Sequence, residues 1–119
     1  MSKILVAEDE ISVQAFIERA LRHSGHQTVT VGDGLAALAA LRNETFDLLL
    51  TDIVMPGLDG IALALKASKQ YPEMKILLMS GYTSERQRAY NLEALIHRVV
   101  EKPFTLEEIC AAVAAELAA

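Results

Sequence analysis

The residues able to do chemistry in this chain each follow a short apolar run. Glu8 and Asp9 come after Lys3-Ile-Leu-Val-Ala7, and Asp52 ends the run that begins at Leu48. Ser80 follows Lys75-Ile-Leu-Leu-Met79, and Lys102 follows residues 96–101. Three carboxylates brought within a few ångströms repel one another, which raises the pKa of at least one unless a cation neutralises them. Hard oxygen ligands with room for water suit Mg2+, which takes one or two carboxylates and completes its octahedron with water and a phosphate. A lysine and a hydroxyl beside those acids imply that anionic oxygens are held there too: the lysine offers a point charge, the serine a hydrogen bond. Phosphoryl transfer is mostly positioning and charge neutralisation, and a carboxylate can serve as its nucleophile. The set contains the parts that forming an aspartyl phosphate at Asp52 requires.

For these groups to meet, the apolar runs must be strands of one sheet ending at one rim. Leu48, Leu49 and Leu50 are apolar on both faces, the pattern of an inner strand in a parallel sheet covered by helices. Met55-Pro56-Gly57 and Asp59-Gly60 then break the chain before the next helix. Strands are expected at 3–7, 27–31, around 48–52, at 75–79 and at 96–101. Between them, Val13, Phe16, Ile17, Ala20 and Leu21 recur at helical spacing, and the helix closes near Gly25. Leu35, Leu38 and Leu41 mark a second helix after the turn Gly32-Asp33-Gly34. A third runs from about Ile61 to Gln70, with Asp59 as N-cap and Pro72 as its stop. Residues 84–95 are polar and poorly periodic, with Ser84 and Gln87 spaced as a capping box for a fourth helix. Thr105 and Glu108 form another capping box ahead of a stripe of Leu106, Ile109, Cys110, Val113 and Leu117. Five strands alternating with five helices predict a three-layer α/β domain with a parallel five-stranded sheet, order 2-1-3-4-5. In such sheets the ligand site lies beyond the carboxyl ends of the strands, where all the acids fall.

Composition narrows the function classes. At 119 residues the chain is expected to be one domain, without repeats, linkers or low-complexity segments. Its net charge of −5 and pI near 5.1 argue against direct nucleic-acid binding. Hydrophobic residues make up 52% but are interrupted every few positions, so no membrane span is expected, and no signal peptide is visible. The single cysteine, Cys110, has no partner and is expected in the core, which makes a reduced, cytoplasmic setting the default. His23, His26 and His97 lack ligand spacing, and Glu10 reads as an acid in the first turn of a helix. Arg86, Arg88 and Arg98 form either a solvated face or a basic patch around the fourth helix.

Four stretches together, Ala7-Glu-Asp-Glu10, Thr51-Asp-Ile-Val-Met-Pro-Gly-Leu-Asp-Gly60, Met79-Ser-Gly81 and Lys102-Pro-Phe104, resemble the receiver domain of two-component response regulators, the CheY-like fold. The likeness spans the whole chain and extends to stand-alone regulators of the CpdR type. It implies that Asp52 accepts a phosphoryl group from a histidine kinase or histidine phosphotransfer protein. It implies Mg2+ bound by Asp9, Asp52 and the backbone carbonyl of Val54, with Glu8 acting through water. Ser80 and Lys102 would hold the phosphoryl group, and Lys102-Pro103 is a candidate cis peptide. Output would pass through a protein bound at the face of the fourth helix and fifth strand, with residues 1–119 forming a single receiver domain and no effector domain.

Two departures from the family pattern bear on mechanism. Val99 stands where an aromatic switch residue is common, which puts the usual coupling between hydroxyl and ring in doubt. Val54 and Tyr82 occupy the positions flanking the water that attacks the phosphoryl group, and neither carries an acid or amide, so slow dephosphorylation is expected. The enzyme alternative is a small Mg2+-dependent phosphatase of the haloacid dehalogenase type. It would need an acid two residues after the nucleophile, where this chain has Val54. The receiver part of a hybrid histidine kinase is a further alternative. A flavodoxin would need a phosphate loop after the first strand, where Glu8-Asp9-Glu10 would repel the cofactor.

Overall fold

A computed structural model describes residues 2–81 and 99–119. The strands are β1 (Lys3–Ala7), β2 (Gln27–Val31), β3 (Leu48–Asp52), β4 (Lys75–Ser80) and β5 (Val99–Glu101). All pairings are parallel, in the order β2-β1-β3-β4-β5. Helices α1 (Ile11–His23), α2 (Gly34–Asn43), α3 (Gly60–Gln70) and a C-terminal helix (Leu106–Ala118) cover the sheet. The helix expected over residues 84–95 and the first half of the expected fifth strand lie outside the described residues.

Alternating side chains on the inner strands feed two separate cores. Leu5, Leu49, Ile76 and Leu78 pack with Ala37 and Leu41 of α2 and with Leu63, Ala64 and Ala67 of α3. Ile4, Val6, Leu48, Leu50, Leu77 and Met79 face the other way, onto Ile17 and Leu21 of α1 and onto Ile109 and Val113 of the C-terminal helix. This two-sided burial is why β3 reads as an unbroken apolar run. Its register, Leu50 beside Val6 and Leu77, sets Asp52 at the carboxyl end of the sheet.

Local signals place the helix starts. Asp33 and Asp59 cap α2 and α3, accepting from the backbone N–H of Ala36 and Ala62 at 2.8 Å each. Thr105 and Glu108 close a reciprocal capping box on the C-terminal helix. Glu10 is the N-cap of α1, one position ahead of the expected first turn, and its side chain makes no capping bond. Two glycines permit close backbone approach. A Cβ on Gly60 would lie 1.9 Å from the carbonyl oxygen of Asp52, and one on Gly34 would lie 2.4 Å from that of Leu58.

Some apolar positions are not where their spacing put them. Leu35 (66% exposed), Phe16 and Leu106 face solvent. Leu35 and Leu106 occupy the first turns of their helices. Glu116, which the stripe of Leu106, Ile109, Cys110, Val113 and Leu117 does not include, takes an inward position on the C-terminal helix. It is buried, and its Oε1 has no hydrogen-bond partner among the described residues. Cys110 is half-buried, with its sulfur accepting from Ser24 Oγ at 3.1 Å.

Candidate functional site

The strand ends converge as the parallel sheet requires. Glu8, one residue past β1, is fully buried; its Oε1 accepts from Lys102 Nζ at 2.7 Å and its Oε2 from the backbone N–H of Glu10 at 3.0 Å. Asp52 is 7% exposed at the end of β3, with Oδ1 accepting from the N–H of Ile53 at 3.1 Å and Oδ2 lying 3.2 Å from Lys102 Nζ. Asp9 is exposed at the mouth of the site. Ser80 is buried at the end of β4, and its carbonyl accepts from the N–H of Lys102 at 2.8 Å, which fixes the start of the Lys102 loop. The Lys102–Pro103 peptide bond is cis.

Electrostatics follow from this crowding. Burial, and then the Glu8 carboxylate, push the pKa of Asp52 from 3.8 to about 6; Lys102 opposes the rise and Asp9 adds to it. Burial pulls Lys102 down, but its bond to Glu8 and the charge of Asp52 outweigh this and hold it above the ordinary lysine value. One ammonium is therefore shared between two carboxylates. Carboxylate oxygens of Glu8, Asp9 and Asp52 lie within 4.8 Å of one another. Opposite ligands of a Mg2+ octahedron stand about 4.2 Å apart, so this all-oxygen set fits a small hard cation with one carboxylate reached through water. A cleft of about 630 Å3 opens over these acids, bounded by Val54, Lys102, Phe16 and Phe104.

The other expected residues divide. Val54 is 53% exposed at the rim, so no acid follows Asp52 at the place a phosphatase of the alternative type would need one. Val99 is half-buried in β5 and packs on the core beneath α2 and α3. Tyr82, Ser84, Gln87, Arg86, Arg88, Arg98 and His97 lie outside the described residues. His26 accepts a bond from the N–H of Ser2 on its Nδ1. Burial, then the N-terminal charge, lower its pKa. Phe16 and Phe104, stacked with centroids 6.3 Å apart, form a cleft wall that periodicity alone did not reveal, because Phe16 reads as core. Gln14 was also missed: its amide bonds the backbone of the acidic turn, and nothing in its spacing signals that. The described helices include none long and apolar enough to cross a membrane.

Comparison with known proteins bears on this geometry directly. A family model described as response regulator receiver domain matches residues 4–114. The response regulator receiver protein CpdR of Brucella abortus is 36% identical over 109 residues, covering 92% of this chain and 91% of CpdR. The transcriptional regulatory protein TcrA of Mycobacterium tuberculosis is 32% identical over 92% of this chain, which spans only 43% of TcrA. The crystal structure of the response regulator TrrA of Thermotoga maritima, in complex with Mg2+ and BeF, superposes with a TM-score of 0.88 at 28% identity, covering 97% of this chain and 98% of that one. The chain belongs to the response regulator receiver domain family of two-component systems.

Proposed function

We propose that the chain is a single receiver domain over residues 1–119 in which Asp52 is the phosphoacceptor. The observation that carries this reading is Asp52 itself, buried at a strand end with Lys102 Nζ at 3.2 Å and two further carboxylates within 4.8 Å. A carboxylate oxygen of Asp52 attacks the phosphorus of a phosphohistidine on a histidine kinase or histidine phosphotransfer protein. The P–N bond breaks, and the imidazole nitrogen leaves with the electron pair. Asp52 must be ionised to attack; with its pKa near 6 it is mostly carboxylate above about pH 7.

Asp9, Asp52 and the Val54 carbonyl would hold Mg2+, with Glu8 reached through water. When bound, the cation supplies neutralising charge for phosphoryl oxygens. Lys102 exchanges its Asp52 contact for a phosphoryl oxygen while Glu8 keeps it in place, and Ser80 offers its hydroxyl from the end of β4. The modified site biases a two-state equilibrium that changes affinity for an output protein at the face of β5 and residues 84–95. Val99 is too small to act there as an aromatic rotamer switch, so the Ser80 loop itself carries the signal. The chain thus works as a cytoplasmic signalling switch, without a turnover substrate.

Intact-mass analysis after incubation with Mg2+ and acetyl phosphate tests the reading. The wild type is expected to gain one acid-stable, base-labile phosphoryl group and Asp52→Asn none. No adduct on the wild type, or an equal adduct on the variant, overturns it.

A further inference from the structure

Gln14, the fourth residue of α1, is a polar side chain that the proposed chemistry does not use. Its Nε2 donates to two backbone carbonyls at 3.0 Å each, those of Glu8 and Val31. These carbonyls end adjacent strands: Val31 is the last residue of β2, paired in register with Ala7, and Glu8 is the first residue beyond β1. The N–H of Glu8 already donates to Val31 at 3.1 Å as the final rung of that ladder. The carbonyl of Glu8 falls past the last rung, where no strand partner remains, and the Gln14 amide takes the place of the missing strand. A buried carbonyl left unmade is costly, and only a side chain with two donors closes both bonds at once.

The bonds on Glu8 then form a complete frame. Its N–H is held by Val31, its carbonyl by Gln14, one carboxylate oxygen by Lys102 and the other by the N–H of Glu10. Asp9 hangs on the next peptide. Its carboxylate is exposed and makes no hydrogen bond or ion pair among the described residues, so its approach to Asp52 is set by the backbone of Glu8. We infer that Gln14 is a positioning residue for the divalent-cation site, fixing through the Glu8 carbonyl the turn that aims Glu8 and Asp9 at Asp52. This rests on the cation reading above and adds to it a group that touches neither cation nor phosphate. Partners that orient ligands in this indirect way typically alter metal affinity by 10-fold or more when removed.

The test is Mg2+ binding by titration calorimetry on the wild type, Gln14→Met and Gln14→Arg. Methionine matches the glutamine in length but donates nothing; arginine restores donors at the same place. Gln14→Met is expected to weaken Mg2+ binding about 10-fold, and Gln14→Arg to recover most of the loss. In metal-free protein, amide hydrogen exchange should quicken at residues 8–10 in Gln14→Met, while the strand interiors keep their protection. Affinity for Mg2+ within twofold of wild type in Gln14→Met overturns the inference. So does a loss that arginine does not recover, or exchange that quickens evenly over the whole sheet, since either marks a merely structural role. Failure of the wild type itself to bind Mg2+ overturns the cation reading, and the role of Gln14 falls with it. If Gln14→Met does not fold, the exchange pattern and Mg2+ affinity of Gln14→Arg against Gln14→Lys, which lacks the planar fork, decide the same question.

Discussion

Replacing Asp52 with Asn is expected to stabilise the metal-free protein at neutral pH. The amide oxygen of Asn can keep the bond from the N–H of Ile53, and Lys102 retains Glu8 at 2.7 Å, so no buried charge is orphaned. In the wild type, burial and Glu8 raise the pKa of Asp52 from 3.8 to about 6, while in the unfolded chain the group returns to its ordinary value. Between those values the folded state binds more protons than the unfolded state, so the unfolding free energy falls as pH rises. The stability tied to a protonated Asp52 is present below the unfolded value and is lost as pH climbs through the folded one. A gap of roughly two pKa units corresponds to about 3 kcal/mol, of which about 2 kcal/mol falls between about pH 4.5 and pH 7.5. Asn does not titrate. The difference in unfolding free energy between variant and wild type should therefore grow by about 2 kcal/mol across that window. Urea unfolding followed by far-ultraviolet circular dichroism, in the presence of chelator, measures it. A difference that is flat with pH, or a variant less stable than the wild type at neutral pH, would refute the reasoning.

Other outcomes follow from named contacts. Saturating Mg2+ should raise the unfolding free energy of the wild type at neutral pH by about 2.7 kcal/mol at a hundredfold excess over Kd, read as a higher urea midpoint; Asp52→Asn should show a much smaller rise. Val54→Asn, at an exposed rim position, should speed loss of the phosphoryl group about 10-fold, roughly 1.4 kcal/mol of barrier, read by the decay of the adduct in intact mass; an unchanged rate would remove Val54 from control of the attacking water. Gly60→Ala should cost about 3 kcal/mol or more, because its Cβ would overlap the Asp52 carbonyl at 1.9 Å and only backbone can give way. Thr105→Ala should cost about 1 kcal/mol by opening the capping box, measured in the same urea assay.

Much of the architecture was legible because its signals are local or periodic. β1 and β2 have the bounds that their residue patterns implied, and Asp59 and Thr105 act as caps because a short side-chain oxygen in that place reaches the free N–H of the first turn. The convergence of Glu8, Asp52, Ser80 and Lys102 was legible too, since parallel strands must end on one side. What escaped reading is set by tertiary geometry. Phe16 fits the apolar stripe of α1, yet its ring stands at the cleft against Phe104. Glu116 is polar in type and buried in fact, and helical spacing alone cannot distinguish an inward acid from an outward one. The direct bond from Lys102 to Glu8 joins two of the recognised stretches 94 residues apart, and neither stretch alone signals it.

The two glycine contacts also have a bearing on how this fold tolerates change. The turn after Asp52 is pressed at Gly60 against the Asp52 carbonyl and at Leu58 against Gly34, the first residue of α2. Substitution at either glycine displaces the same turn, so sequence drift at position 34 is coupled to the Asp52 turn although α2 contributes no charge to the site. A designer grafting this acidic site onto another parallel sheet would have to carry over the bare backbone at the start of two helices along with the acids.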